Sequence, residues 1–159
     1  MKKIETLRAA LAEAIPELRR EPDRLRIWIE DGAASSRQSE TLGFGFAYRA
    51  SLLIVETKTD LALIALPIFR WLRINQPDLL APGAEGFSFD ADILDNESWD
   101  VLIQLQLREN VTVVPREDGG WSLDYLAEPD PLFSDDSGLD DAGDIPGLTE
   151  VITTARPSE

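Results

Sequence analysis

The chain has no histidine, no cysteine and a single methionine among its 159 residues. The missing cysteine excludes a disulfide framework, a thiol nucleophile and a cysteine-based zinc site. The missing histidine removes the commonest general base and the commonest metal ligand. Positive charge is scarce as well: 15 Lys and Arg stand against 30 Asp and Glu, for a formal net charge of −15. Affinity for nucleic-acid backbones and anionic lipid comes mainly from Lys and Arg, so neither a specific nucleic acid nor a membrane is expected as partner. No apolar run reaches the roughly 20 residues of a membrane span, and no apolar stretch follows Lys2 and Lys3 as a signal peptide requires.

The acidity is uneven. Residues 1–126 carry 21 acids and 14 bases, whereas residues 127–159 carry 9 acids and only Arg156. An Asp/Gly/Ser-rich run up to Gly147 holds too little apolar surface to offset its ordering entropy. The expected organisation is one domain over 1–127 and an acidic tail over 128–159. Within the tail, Leu148 to Thr153 is a short β-prone patch containing Val151 and Ile152. Such a patch can pair with a sheet edge where one is offered.

Ile4, Leu7, Leu11 and Ile15 fall on one helical stripe, which predicts a helix over 3–15 closed by Pro16 and Pro22. Leu25, Ile27 and Ile29 alternate with Arg26, Trp28 and Glu30, which predicts a strand ended by a turn at Asp31-Gly32. Residues 33–42 are small and polar, a loop or a weak hairpin strand. The longest strand signal runs from Gly43 to Thr57, with Phe44, Phe46, Tyr48, Ala50, Leu52 and Ile54 at every second position. Its length suggests a neighbouring subunit to lie against. Asp60 is placed to cap a second helix reaching about Asn75 and stopped by Gln76-Pro77, with Pro67 inside expected to kink it or mark a false start. A meander then follows: Phe87 to Ile93, a turn at Asp95-Asn96-Glu97-Ser98, Trp99 to Arg108, a separate short strand Val111 to Val114, a turn at Asp118-Gly119-Gly120, and Trp121 to Tyr125. The expected fold is α+β, with two helices packed on one face of a mainly antiparallel sheet of about six strands.

Signals for chemistry fail one by one. Asp90, Asp92, Asp95, Glu97 and Asp100 form the densest acidic cluster, but Leu94 and Asp95 occupy positions where a calcium loop needs a ligand and a glycine. Asp90 and Asp92 share a strand face, a pattern that is usually solubility charge; a Mg²⁺ enzyme built on them is the catalytic alternative. Gly43-Phe44-Gly45 and Gly83-Ala84-Glu85-Gly86 are not phosphate loops, and no nucleophile elbow is present. No catalytic, cofactor-binding or metal-binding residue is assigned. Trp71, Trp99 and Trp121 lie on apolar faces and suit a core or an interface. Trp28 points away from its apolar neighbours, so it is either covered by the first helix or used at an interface.

Several strings resemble one family when taken in order. They are Leu7 to Leu11, of the Leu-Arg-x-Ala-Leu type, and Pro22-Asp23-Arg24-Leu25. Trp71-Leu72-Arg73-Ile74-Asn75-Gln76-Pro77-Asp78-Leu79-Leu80 follows, then Phe89-Asp90-Ala91-Asp92-Ile93-Leu94-Asp95-Asn96. The last is Leu107-Arg108-Glu109-Asn110-Val111, leading into Val113. Together, over roughly residues 4–130, they resemble the tail completion protein R family of contractile-tailed temperate bacteriophages of the Peduovirus type. The chain departs from the family at 107–111, where Leu-Thr-Glu-Arg-Val is expected, and in the length of its acidic tail. The resemblance implies a tail-terminator-like virion assembly protein with no catalytic residues. It implies a homo-oligomeric ring, a hexamer on a six-fold tail, that contacts tail tube and sheath proteins and head/neck connector proteins. Such a protein sits at the head-proximal end of the virion tail and is made in the host cytoplasm. The residues expected at subunit or tail interfaces are Phe44, Phe46, Tyr48, Arg49, Arg73, Asn75, Gln76, Asp92, Asp95, Asn96 and Trp99. The acidic tail is expected to meet a basic neighbour in the neck or to repel DNA in the lumen. A small peptide- or ligand-binding α+β module, with a closed pocket, is the alternative reading.

Overall fold

A computed structural model describes residues 1–95 and 97–129. Helix α1 spans Lys2–Ala14 and α2 spans Pro16–Arg20. A 3-10 turn over Pro22–Arg24 leads into strand β1, Leu25–Ser36. Strand β2, Phe44–Thr57, is followed by helix α3, Leu61–Asn75, and a 3-10 turn over Pro77–Leu80. Strands β3 (Ser88–Ile93), β4 (Trp99–Pro115) and β5 (Trp121–Tyr125) complete the described chain. No helix among the described residues is long and apolar enough to cross a membrane.

The five strands form one antiparallel sheet in the order β1-β2-β4-β3, and β5 pairs with the far half of β4. Register fixes the core. Tyr48, Ala50, Leu52 and Ile54 of β2 lie opposite Leu107, Leu105, Ile103 and Val101 of β4. All eight are buried, and they meet Leu7, Leu11, Ile15 and Leu18 from the N-terminal helices and Ile64, Ile68, Trp71 and Leu72 from α3. Each large aliphatic side chain so buried contributes roughly 1.5–3 kcal/mol. Trp71 satisfies its one polar atom by donating from Nε1 to Thr6 Oγ1 at 3.0 Å, which ties α3 to α1. Both helices therefore sit on one face of the sheet, and the other face has no layer over it among the described residues.

Several local expectations need correction. Pro16 and Pro22 do not merely close a helix; each opens the next helical turn, at a first position whose amide has no helical acceptor to lose. Asp31-Gly32 does not end β1. It is a bulge between Glu30 and Ala33, with Asp31 at φ 51, and the strand continues to Ser36 as the hairpin partner of β2. Helix α3 runs through the buried Pro67 without interruption, and Asp60 caps it by accepting from Ala62 N at 2.7 Å. The two strands expected on either side of Glu109-Asn110 are one strand of 17 residues, so the described residues form five strands where about six were expected.

Candidate functional site

Two short-range devices hold the end of the sheet where β2 hands over to α3. Glu56 adopts a left-handed backbone, φ 49, at the bulge that closes β2. Its amide donates to Asp100 Oδ1 at 2.7 Å and its carbonyl accepts from Arg24 Nη1 at 2.6 Å. Glu17 on α2 accepts from the hydroxyls of Thr57 and Thr59, both at 2.9 Å, and from Arg24 at 3.0 Å. Asp100, read in the sequence as part of an acidic cluster, is thus a structural acceptor. Asp95 is another: its Oδ1 takes the amides of Glu97 and Ser98 at 2.7 and 2.8 Å, and these bonds hold its carboxyl below the usual carboxylate range. Asp92 faces Asp100 across β3 and β4 and is exposed, as is Asp90. No group of three or more possible metal ligands occurs among the described residues.

The middle of the fold contains two buried polar centres that the sequence reading did not find. Glu109 is 3% exposed. One carboxylate oxygen accepts from the Tyr48 hydroxyl and the other from the backbone amide of Lys2 at 2.9 Å. Helix α1 has no side-chain cap at its own N-terminus, so Glu109 supplies one from the sheet, where the helix dipole favours an anion. Burial, together with Glu109, pushes the Tyr48 phenol far above the ordinary tyrosine range. Gln76 is 2% exposed. Its carbonyl oxygen accepts from Lys3 Nζ at 2.8 Å and from Arg108 N at 3.0 Å, while its amide donates to Asp78. Lys3 also pairs with Glu128 at 2.5 Å. Both centres had a sequence signal. Glu109 continues the alternation Leu105, Leu107, Val111, and Lys3 lies four residues before Leu7 on the buried stripe of α1.

Around Arg49 the uncovered face of the sheet is polar and cross-linked. Arg49 reaches Asp31 at 2.5 Å and lies 3.6 Å from Glu30. Ser51 is buried and donates to Glu30 at 2.6 Å, which with Trp28 lowers the Glu30 carboxyl. Trp28 stands on this face and is exposed, so the first helix does not cover it.

The sheet also outruns its helices. Past Glu109, on the helix side, Phe44, Val111 and Tyr125 form one cross-strand row and Val113 and Leu123 the next. Phe44 and Phe46 meet edge to face with ring centroids 5.5 Å apart. Trp121 is 57% exposed and Leu123 58% exposed, and Tyr125 and Leu126 are exposed beside them. This apolar shelf is continuous with the core, and no described helix lies over it.

The expected interface residues do not converge on one patch. Phe44 and Phe46 belong to the shelf. Tyr48 and Gln76 are used inside the subunit, and Trp99 is half-buried against the core. Arg49 and Asp92 lie on the uncovered face. Arg73 is exposed at the end of α3, where Asn75 donates to the Trp71 carbonyl at 3.0 Å. Asp95 shapes the β3–β4 turn, and Asn96 lies outside the described residues, as does the patch Leu148 to Thr153. The shelf residues Trp121, Leu123 and Tyr125 were not among those expected. Two depressions among the described residues, about 590 and 390 Å³, are shallow and open to solvent.

The site is thus an apolar shelf beside an uncovered sheet face, with no metal-ligand cluster among the described residues. Comparison with known proteins gives the family. The family model described as P2 phage tail completion protein R (GpR) matches residues 1–129. The chain belongs to this family. It is 35% identical over 134 residues to tail completion protein R of Escherichia phage P2, covering 82% of this chain and 86% of that one. No solved structure matches. Membership makes the chain a structural component of a phage tail and not an enzyme. The matched region contains the whole described sheet, the shelf and both buried polar centres.

Proposed function

We propose that this protein closes the head-proximal end of the phage tail as a homo-oligomeric ring, six-fold like the tail beneath it. One side of the ring meets tail tube and sheath proteins, and the other meets head/neck connector proteins. The observation that carries this reading is the shelf: a sheet that runs past its helices and leaves Trp121 and Leu123 more than half exposed beside a closed core. Apolar surface of this kind, rimmed by polar groups, marks protein–protein contact. The contact between subunits uses the overhanging start of β2 with Phe44 and Phe46, together with β5 and the hairpin from Asp92 to Trp99. A ring also protects strand ends that a monomer leaves open. The folded unit is residues 1–127, with residues 128–159 as an acidic extension; the Lys3–Glu128 pair lies at the junction. A ligand-binding module would need an enclosed site, and nothing among the described residues favours one over the ring.

Sedimentation and native mass spectrometry of the full chain, alone and with tail tube protein, test the reading. A hexamer on the tube is expected, and Leu123→Asp should abolish both the ring and the joining of heads to tails. A chain that remains monomeric with tube present, or a Leu123→Asp phage that joins heads normally, refutes it.

A further inference from the structure

The sheet ends in β1 on one side and in β3 on the other, and among the described residues each has a single strand partner. An open edge is a template for another strand. The two edges complement each other. Strand direction alternates across the order β1-β2-β4-β3, so β1 and β3 run antiparallel. β1 is regular from Leu25 to Glu30, where its bulge begins, and β3, Ser88–Ile93, has the same length. On the helix face β1 presents Leu25, Ile27 and Ile29, and β3 presents Phe89, Ala91 and Ile93. Ile93 is 75% exposed and Phe89 50%. On the uncovered face β1 carries Arg26, and β3 carries Asp90 and Asp92. Among the described residues none of these three charges has an ion-pair partner.

We infer that β3 of one subunit pairs with β1 of the next copy, so that the sheet runs on from subunit to subunit. The inference rests on the proposed ring and gives it a second contact beside the shelf. In the register that pairs the two runs end to end, Leu25 meets Ile93, Ile27 meets Ala91 and Ile29 meets Phe89. On the other face Arg26 meets Asp92, Trp28 meets Asp90 and Glu30 meets Ser88, so no like charges oppose each other. The open depression of about 590 Å³ at Leu25 and Ile27 lies where Ile93 arrives. Arg8 donates to the Leu25 carbonyl at 3.3 Å and has to yield or share that acceptor. Within one chain Ile27, Leu52, Ile103 and Phe89 form a single row across the sheet. The contact is offset from that row by about two residues, a stagger of the kind that a closed sheet of tilted strands requires. Pairing of unlike edges propagates head to tail and can close a ring. Pairing of like edges fits less well. β3 against β3 opposes Asp90 and Asp92 to each other. β1 against β1 offers Arg26 only Glu30, which already accepts from Ser51 and lies near Arg49.

Full-length variants assembled on tail tubes test this. The chain has no cysteine, so Ile27→Cys with Ala91→Cys supplies one defined pair. Within a chain these positions lie three strand spacings apart, roughly 14 Å. A disulfide needs Cα atoms within about 7 Å, so any bond between them joins two subunits. Oxidation on tubes should give a ladder of covalent oligomers, and neither single variant should give one. Arg26→Glu and Asp92→Arg change exposed side chains. Each should weaken the neighbour contact about fivefold, and the two together in one chain should restore it. A ring on the tube without cross-links between positions 27 and 91 overturns the inference and leaves the ring standing. Dimers of Ile27→Cys alone overturn it in favour of β1 pairing with itself, and charge reversals that add instead of cancelling overturn it as well. A chain that stays monomeric on tubes removes the ring and this contact together.

Discussion

Replacing Glu109 tests whether a buried carboxylate holds the first helix onto the sheet. In Glu109→Ala two donors lose their acceptor: the buried Tyr48 hydroxyl and the Lys2 amide at the start of α1. An orphaned buried hydroxyl costs about 1–3 kcal/mol. Loss of a helix cap costs about 1 kcal/mol more. The expected loss is therefore about 3 kcal/mol, a large part of the 5–15 kcal/mol that stabilises an ordinary domain. Urea unfolding followed by tryptophan fluorescence measures it; the midpoint should fall while the slope stays constant, because no surface is newly exposed in the folded state. Glu109→Gln keeps an acceptor oxygen and should lose only about 1 kcal/mol. The decisive comparison is a double-mutant cycle with Tyr48→Phe. Once Glu109 is gone the hydroxyl has no acceptor, so removing it costs little, and the double variant should be more stable than the sum of the singles predicts by about 1–2 kcal/mol. Additive losses, or a Glu109→Ala protein within about 0.5 kcal/mol of the parent, would refute the account.

Gln76→Ala removes the acceptor of both Arg108 N and Lys3 Nζ; it should lose about 2 kcal/mol and speed exchange of the Arg108 amide, read by NMR, without altering β1. Tyr48 makes the protein sensitive to alkali. Burial, together with Glu109, raises its folded pKa above the ordinary tyrosine value of about 10, so the unfolded chain releases this proton first. Stability is complete below the unfolded value and falls as pH rises above it. One of the two tyrosines should ionise only as the protein unfolds, seen as tyrosinate absorbance tracking loss of circular dichroism, and Tyr48→Phe should flatten the loss of stability above pH 10.

The helices and the central strands were legible because burial repeats with a period there. Leu7, Leu11 and Ile15, or Leu52 and Ile54, have nothing to do but pack. The misreadings occurred where one residue type serves two geometries. Proline stops a helix interior yet starts a helical turn, and only the course of the chain after Pro16 and Pro22 distinguishes the two. Asp-Gly marks a turn or a bulge, and the choice at Asp31-Gly32 rests on whether Ala33 to Ser36 find a partner across the hairpin. A carboxylate on an apolar face, as at Glu109, reads locally like the end of a strand, although β4 runs through it. The acceptor it supplies belongs to α1, about a hundred residues away in sequence, and no local pattern carries that. Candidate interface residues were harder still. Exposure of Trp121 and Leu123 depends on where the helix layer stops, which the alternation of a strand does not encode.

The shelf also bears on when the proposed ring assembles. The uncovered parts of Trp121 and Leu123 amount to roughly 200 Å² of largely apolar surface, given that a whole aromatic side chain buries about 150–250 Å². At about 25 cal/mol per Å² that contact gains about 5 kcal/mol. Association of two free subunits loses an estimated 4–15 kcal/mol in translational and rotational freedom, so one such contact barely holds a pair together. A subunit already seated on a tail tube has lost most of that freedom, and its neighbour contact then adds to affinity almost undiminished. The free protein should therefore sediment as a monomer at micromolar concentration and close its ring only on the tube. Leu123→Asp should leave the free monomer unchanged while removing cooperativity from binding to tubes. A stable hexamer without tube would mean that surfaces other than the shelf supply most of the contact.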